Sequence, residues 1–223
     1  MIEKCTIYGE RCSGTNYLED ILTKNFDVNI TWEYGWKHFF GFQSDEQLRN
    51  AKGTLFICIV KDITSWINSF FRRPHHIPRH LKNNINNFIT KEIYSHVDGN
   101  GIGKEIMEDR NIFTKKRYKN IFELRHTKLK YMIDELPNKV DHYILIRYED
   151  LVNDFDNVMH KLQDKGLKVR ENITFPINSK VYKNGVEGNR IYKPNKVQYI
   201  REEHILKNPN FIKDYESILG YLK

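Results

Sequence analysis

The chain is predicted to be an α/β domain, a central parallel sheet with helices on both faces, from three observations. β-rich apolar runs at Cys5–Tyr8, Val28–Trp32, Thr54–Val60 and His142–Ile146 alternate with segments of helical spacing, the pattern that crossover helices between parallel strands produce. The run LFICIV, Leu55–Val60, is apolar at nearly every position, as a strand covered on both faces must be, which places it centrally. Between the first run and the first helix lies TIYGERCSGTNY, Thr6–Tyr17, with glycines at 9 and 14 in the spacing of a phosphate-cradling loop.

The remaining elements follow in order. The first helix, Thr15–Asn25, carries Tyr17, Leu18, Ile21 and Leu22 at helical spacing, with Ser13 or Thr15 as its cap. Ser44 and Gln47 form a capping-box pair for a short helix, and Gly53 ends that segment before the third strand. A helix after Lys61 sets Trp66, Ser69, Phe70 and Arg73 on neighbouring turns until Pro74 closes it. Residues 75–116 lose periodicity and read as a mobile insertion near one face of a single domain spanning 1–223.

A helix over Tyr118–Leu136 places Ile121, Phe122, Arg125, Leu129, Met132 and Leu136 on one broad face, then passes through Pro137 and Asn138 into the last strand. Phe155–Lys165 is helical, with Gly166 as its stop. A basic stretch, Lys183–Lys196, contains Gly185 and Gly188 and reads as a flexible loop before two short helical patterns. No internal repeat is visible.

Hydrophobic residues at 39%, aromatic at 13% and charged at 29% suit a globular domain rather than a disordered one. The net charge of +7 is compatible with an anionic ligand, an acidic polymer or simply a solvated basic surface. Cys5, Cys12 and Cys58 cannot all pair and have no metal-ligand spacing, which favours a reducing compartment. No apolar run approaches about 18 residues and no leader is evident, so a cytoplasmic location without a membrane span is expected. The sequons at Asn29 and Asn172 are then chance occurrences.

In the loop, backbone N–H groups meet at a helix N-terminus whose dipole favours an anion, with Arg11, Ser13, Thr15 and Asn16 as side-chain donors. The Lys-Ser/Thr expected after the second glycine of a nucleoside triphosphatase is replaced by Thr15-Asn16. At the end of the third strand stands Lys61, and Ser69 follows eight positions later. The segment IRYEDL, Ile146–Leu151, marks a third strand-to-helix junction.

Together these segments resemble the sulfotransferases that use 3′-phosphoadenosine 5′-phosphosulfate, in ordered pieces over about residues 4–162. The resemblance implies a P-loop-like three-layer fold and that nucleotide as sulfate donor, with no metal. It makes Ser13, Gly14, Thr15 and Asn16 ligands of the 5′-phosphate, Tyr17 a ring against adenine, and Lys61 with Ser69 ligands of the 3′-phosphate. Tyr148 would touch the adenine, Arg147 would anchor its loop, and Glu149 and Asp150 would cap the next helix. One of Lys183, Arg190 and Lys193 would close over the 3′-phosphate.

Two departures stand out. Cys12 occupies the place of the family's loop cation and Arg11 precedes it by one, so Arg11 is expected to reach the phosphosulfate oxygens by its longer fork while Cys12 lines the turn. Lys61 replaces a more usual Arg, keeping charge and losing bidentate geometry. Cys12 as a thiolate nucleophile is the rival reading of that position.

For the acceptor, Lys37 and His38 follow the second strand, with His38 as base and Lys37 and Arg11 as cations for the transition state; Glu33 is the fallback base. His75 and His76 are channel candidates, and Arg125 and Lys128 either meet an anionic acceptor or form an exposed basic face. The acceptor class, whether sugar, lipid, peptide or small molecule, is open, and no nucleic acid is expected. The rivals are a nucleotide or small-molecule kinase, for which Asp62 is the tempting Mg²⁺ ligand, and a module that binds nucleotide or polyanion without catalysis.

Overall fold

A computed structural model describes residues 2–98, 102–173, 178–183, 186–191 and 197–222. Four strands, β1 (Lys4–Gly9), β2 (Asn29–Ile30), β3 (Thr54–Val60) and β4 (Tyr143–Arg147), form one all-parallel sheet in the order β2-β1-β3-β4. Register aligns Ile7 with Ile57 and Ile57 with Ile144, so β1 and β3 are both interior strands. The second strand is shorter than its apolar run because only Asn29 and Ile30 pair with β1.

Strand β3 is buried along its whole length, and its two faces feed two cores. Leu55, Ile57 and Ile59 pack with helix α1 (Thr15–Asn25), α6 (Tyr148–Asn153) and α7 (Phe155–Asp164) through Leu18, Ile21, Leu151 and Leu162. Phe56, Cys58 and Val60 point the other way, toward Phe40, Leu129, Met132 and Tyr215. The period-two alternation of a strand thus covers the sheet on both sides.

Ser44 and Gln47 do form a capping box for the short helix α2 (Asp45–Arg49). Helix α3 (Ile63–Arg72) is capped by Asp62, whose carboxylate accepts from the Ser65 N–H, and ends at Arg73. The segment after Pro74 is packed rather than loosely draped. It holds α4 (Ile85–Thr90) and buries Ile77, Leu81, Phe88, Ile89 and Ile93 in a third core with Trp66 and Phe70 of α3.

Helix α5 (Ile121–Lys130) starts at Asn120, which accepts from the N–H groups of Phe122 and Glu123, and continues as a π turn, Tyr131–Glu135. The expected single helix to Leu136 is therefore relaxed in its last turns, where Pro137 withdraws a backbone donor. The basic stretch is not a plain loop, since its residues Val186–Ile191 form strand β6, antiparallel to β5 (Asn178–Lys183) just before it. Two short helices, α8 (Glu202–Leu206) and α9 (Asp214–Ile218), follow. Among the described residues no helix is long and apolar enough to cross a membrane.

Candidate anion-binding site

The carboxyl ends of β1, β3 and β4 bring three sequence-distant segments together, as expected for ligand sites of parallel sheets. Strand β1 runs into the turn Glu10–Gly14, closed by a hydrogen bond from the Ser13 N–H to the Glu10 carbonyl. Gly14, at φ 104°, is the residue before α1, and neither Ser13 nor Thr15 caps that helix. Its first N–H groups therefore lack a side-chain acceptor, and the helix dipole adds positive potential there.

Both glycines are sterically required. A Cβ on Gly14 would sit 2.5 Å from Tyr148 Cδ2, and one on Gly9 would sit 2.7 Å from Ser13 Oγ and 2.8 Å from the Ile59 carbonyl oxygen. The buried Ser13 hydroxyl has no hydrogen-bond partner among the described residues. A buried hydroxyl, a glycine cradle and an uncapped helix start together form a set of donors suited to a phosphate-like anion.

Lys61 leaves β3 beside this turn. Its ammonium donates to Ser69 Oγ at 3.3 Å and lies 4.4 Å from the centroid of the Tyr148 ring. Burial pushes the Lys61 ammonium below its ordinary value, against the opposing pull of the Glu149 carboxylate. Loop, strand-end lysine and the Tyr148 ring are thus contiguous, and Tyr17 is buried on the first turns of α1.

Lys37 and His38 clasp the exit of β1. The Gly9 N–H donates to the Lys37 carbonyl at 2.9 Å, and His38 Nδ1 lies 2.8 Å from the Gly9 carbonyl oxygen. A carbonyl only accepts, so Nδ1 carries the proton and Nε2 keeps its lone pair. Burial, with Lys37, Arg11 and Lys128 adding to it, holds the His38 imidazole well below its ordinary value and therefore neutral. Lys37 Nζ donates to Asn16 Oδ1 and, at 3.1 Å, to Glu19 Oε2, which holds a cation at the loop's helix side.

Arg11 is placed differently from the expectation. Its guanidinium turns into the interior, pairing with Asp109 at 2.9 Å and donating to Ser95 Oγ and the His75 carbonyl, with its face 4.6 Å from the Phe70 centroid. Cys12 adopts φ 65°, its thiol donates to the Arg73 carbonyl, and burial pushes its pKa up to about 11. A thiolate nucleophile has no support in such a setting.

Arg125 and Lys128 correct the reading of an exposed or acceptor-facing basic helix. Both are buried. Arg125 donates to Glu10 Oε2, to both Glu216 oxygens at 2.7 and 3.1 Å, and to the Lys61 carbonyl at 2.7 Å. Lys128 donates to Asp109 Oδ1 at 2.7 Å and to the His38 carbonyl at 2.6 Å. Arg11 and Lys128 hold the Asp109 carboxyl below its ordinary value even though burial opposes them.

Sequence reasoning missed the acidic halves of these pairs, Glu10, Glu19, Asp109 and Glu216. The available signal was Arg125 itself, which shares a helical face with Ile121, Phe122, Leu129 and Met132; a charge on an apolar stripe needs a buried partner.

At the last junction, Arg147 grips Asp150 through two bonds of 2.6 and 3.0 Å and donates to the Leu219 carbonyl, so it anchors its loop as expected. Glu149 and Asp150 do not cap α6, because Glu149 instead accepts from the Asp62 N–H and the Tyr221 hydroxyl. Glu33 is exposed and paired with Lys4. His76, at φ 68°, donates through Nδ1 to the His96 carbonyl, and burial lowers the pKa values of both His75 and His76.

Arg190 lies on β6, and Lys193 lies outside the described residues. A separate cavity of about 780 Å³ opens between α4 and residues 198–208, lined by Ile89, Tyr199 and Arg201 and none of the residues above.

Comparison of the chain with protein-family models, with curated proteins and with solved structures finds no match.

Proposed function

We propose that the chain is a sulfotransferase, with a P-loop-like fold, that moves a sulfuryl group from 3′-phosphoadenosine 5′-phosphosulfate to a hydroxyl or amine acceptor. The observation that carries this reading is the Tyr148 ring, which packs against Gly14 of the loop and under the Lys61 ammonium, itself bonded to Ser69. Two anion sites joined by one aromatic ring suit a nucleotide phosphorylated at two positions better than a triphosphate chain.

The residues fit that donor. The N–H groups of Gly14, Thr15 and Asn16 and the unpartnered Ser13 hydroxyl would hold its 5′-phosphate end, and Lys61 with Ser69 its 3′-phosphate. When bound, the donor supplies the sulfuryl group. His38 takes the acceptor hydroxyl proton at Nε2, since Nδ1 is fixed by Gly9 and the ring is neutral. Lys37, held at Asn16, offsets the charge that grows on the leaving phosphate oxygen. Arg11, engaged by Asp109, supports the turn from inside instead of reaching the sulfuryl oxygens.

Calorimetry with adenosine 3′,5′-bisphosphate beside ATP and Mg²⁺ tests the reading. Binding of the bisphosphate, weakened by Lys61→Ala, is expected. ATP binding without any response to the bisphosphate overturns it in favour of a kinase, for which Asp62 would have to leave its capping role at α3.

A further inference from the structure

Arg125 ties the backbone segments of the two proposed anion sites to each other. Its Nη1 donates to Glu10, the residue that opens the loop turn and whose carbonyl accepts from the Ser13 N–H. Its Nη2 donates to the carbonyl of Lys61, at the exit of β3, at 2.7 Å. The remaining nitrogen, Nε, is held by Glu216 of α9 at 2.7 Å, and the guanidinium lies 5.2 Å from the Trp66 ring centroid of α3. The side chain is 3% exposed, so water does not compete for these bonds.

A guanidinium is a rigid planar fork, and its Nη1 and Nη2 fix the separation of whatever they hold. Here they hold the backbone entry of one anion site and the backbone carbonyl of the lysine that forms the other. Arg125 gives its hydrogen bonds to Glu10, Glu216 and the Lys61 carbonyl, so its effect on the two sites passes through the backbone it ties.

We propose that Arg125 is a positioning residue that sets the spacing between the loop and the Lys61–Ser69 pair, so that one ligand with two phosphate groups is gripped at both ends. The proposal rests on reading those two sites as halves of one nucleotide site. A ligand held at both ends gains from effective concentration only when the spacing matches, whereas a ligand with one phosphate gains nothing from it.

The test uses the full chain and three probes, adenosine 5′-monophosphate, adenosine 3′-monophosphate and adenosine 3′,5′-bisphosphate. Arg125→Lys keeps the charge and loses the fork. It is expected to cut the bisphosphate's affinity about tenfold or more while leaving each monophosphate nearly unchanged. Glu216→Gln disturbs the same buried cluster but leaves both spanning bonds, and is expected to keep the bisphosphate's advantage. Equal losses for all three probes in R125K, or the same loss of advantage in E216Q, overturn the proposal in favour of plain structural support.

Amide hydrogen exchange without ligand judges the tether separately. In R125K the amides of Ser13, bonded to Glu10, and of Asp62, bonded to Glu149, should both exchange faster while Ile57 within β3 does not. Unchanged exchange at either one overturns the proposal. A wild-type chain that binds none of the probes removes the nucleotide reading, and the exchange result still decides whether Arg125 ties the two segments.

Discussion

The Lys61 ammonium lies 4.4 Å from the centre of the Tyr148 ring, and the edge of that ring closes on the backbone of Gly14. One aromatic side chain at the start of α6 thus touches the loop after β1 and the cation after β3. Gly14→Ala is expected to cost about 1–2 kcal/mol for a side chain in the left-handed region, before the collision with Tyr148 is counted. Chemical denaturation of G14A against wild type measures it. The double variant G14A/Y148A should recover only the collision part.

His38 is held neutral, with its free nitrogen available. Under the proposed sulfotransferase reading, His38→Ala is expected to slow sulfuryl transfer by on the order of 10² to 10⁴-fold, the usual contribution of a positioned base. Bisphosphate affinity by calorimetry should be unchanged. Because burial holds the imidazole well below 6.5, wild-type kcat should stay level as pH falls through that value and drop only further into acid. A drop centred near 6.5 would move the base elsewhere.

Asp109 neutralises two buried cations, Arg11 and Lys128. Asp109→Asn leaves both unpaired and is expected to cost about 3–5 kcal/mol of stability. Its carboxyl sits below its ordinary 3.8 in the folded chain, so the stability it contributes is complete above that value and is lost as pH falls through the lower folded pKa. Urea unfolding of wild type and D109N across acid pH should converge at the low end.

Glu10 behaves in the opposite sense. Burial raises its carboxyl from 4.5 to about 7, although Arg125 opposes the rise. The folded chain binds the proton more readily than the unfolded one, so this residue's contribution is present below 4.5 and diminishes as pH climbs through 7. The slope is at most about 1.4 kcal/mol per pH unit. Thermal unfolding of Glu10→Gln should lack this part of the pH dependence.

Cys12 is expected to be unreactive in the folded chain. With its thiol pushed up to about 11 and donating to the Arg73 carbonyl, alkylation by iodoacetamide near neutral pH should be much slower in the folded chain than in the unfolded one. Mass spectrometry of the Cys12 peptide with and without denaturant reads this directly. Cys12→Gly should be more stable than wild type, because glycine tolerates φ 65°.

Much of the fold was legible in the residues themselves because strands, loop and helix starts are local. The apolar run LFICIV could only be a strand covered twice, Ser44 with Gln47 could only cap, and Gly9 and Gly14 marked the turn before α1. The pairing of Lys61 with Ser69 was legible too, since eight positions on one strand-to-helix junction bring the two together. The length of β2 and the end of α5 were not, because pairing partners and a downstream proline set them.

The charged residues divide along the same line. The sequence by itself determined which cations exist and roughly where each enters the fold. Only the tertiary structure decided which are consumed inside: Arg125 meets Glu10 and Glu216, while Arg11 and Lys128 meet Asp109, all from distant parts of the chain. A buried charge is tolerable only beside an opposite one, and no local pattern records a partner that lies on another element. Lys61 stays beside the loop and Lys37, though paired with Glu19, reaches Asn16 of it; the roles proposed for them follow from those positions.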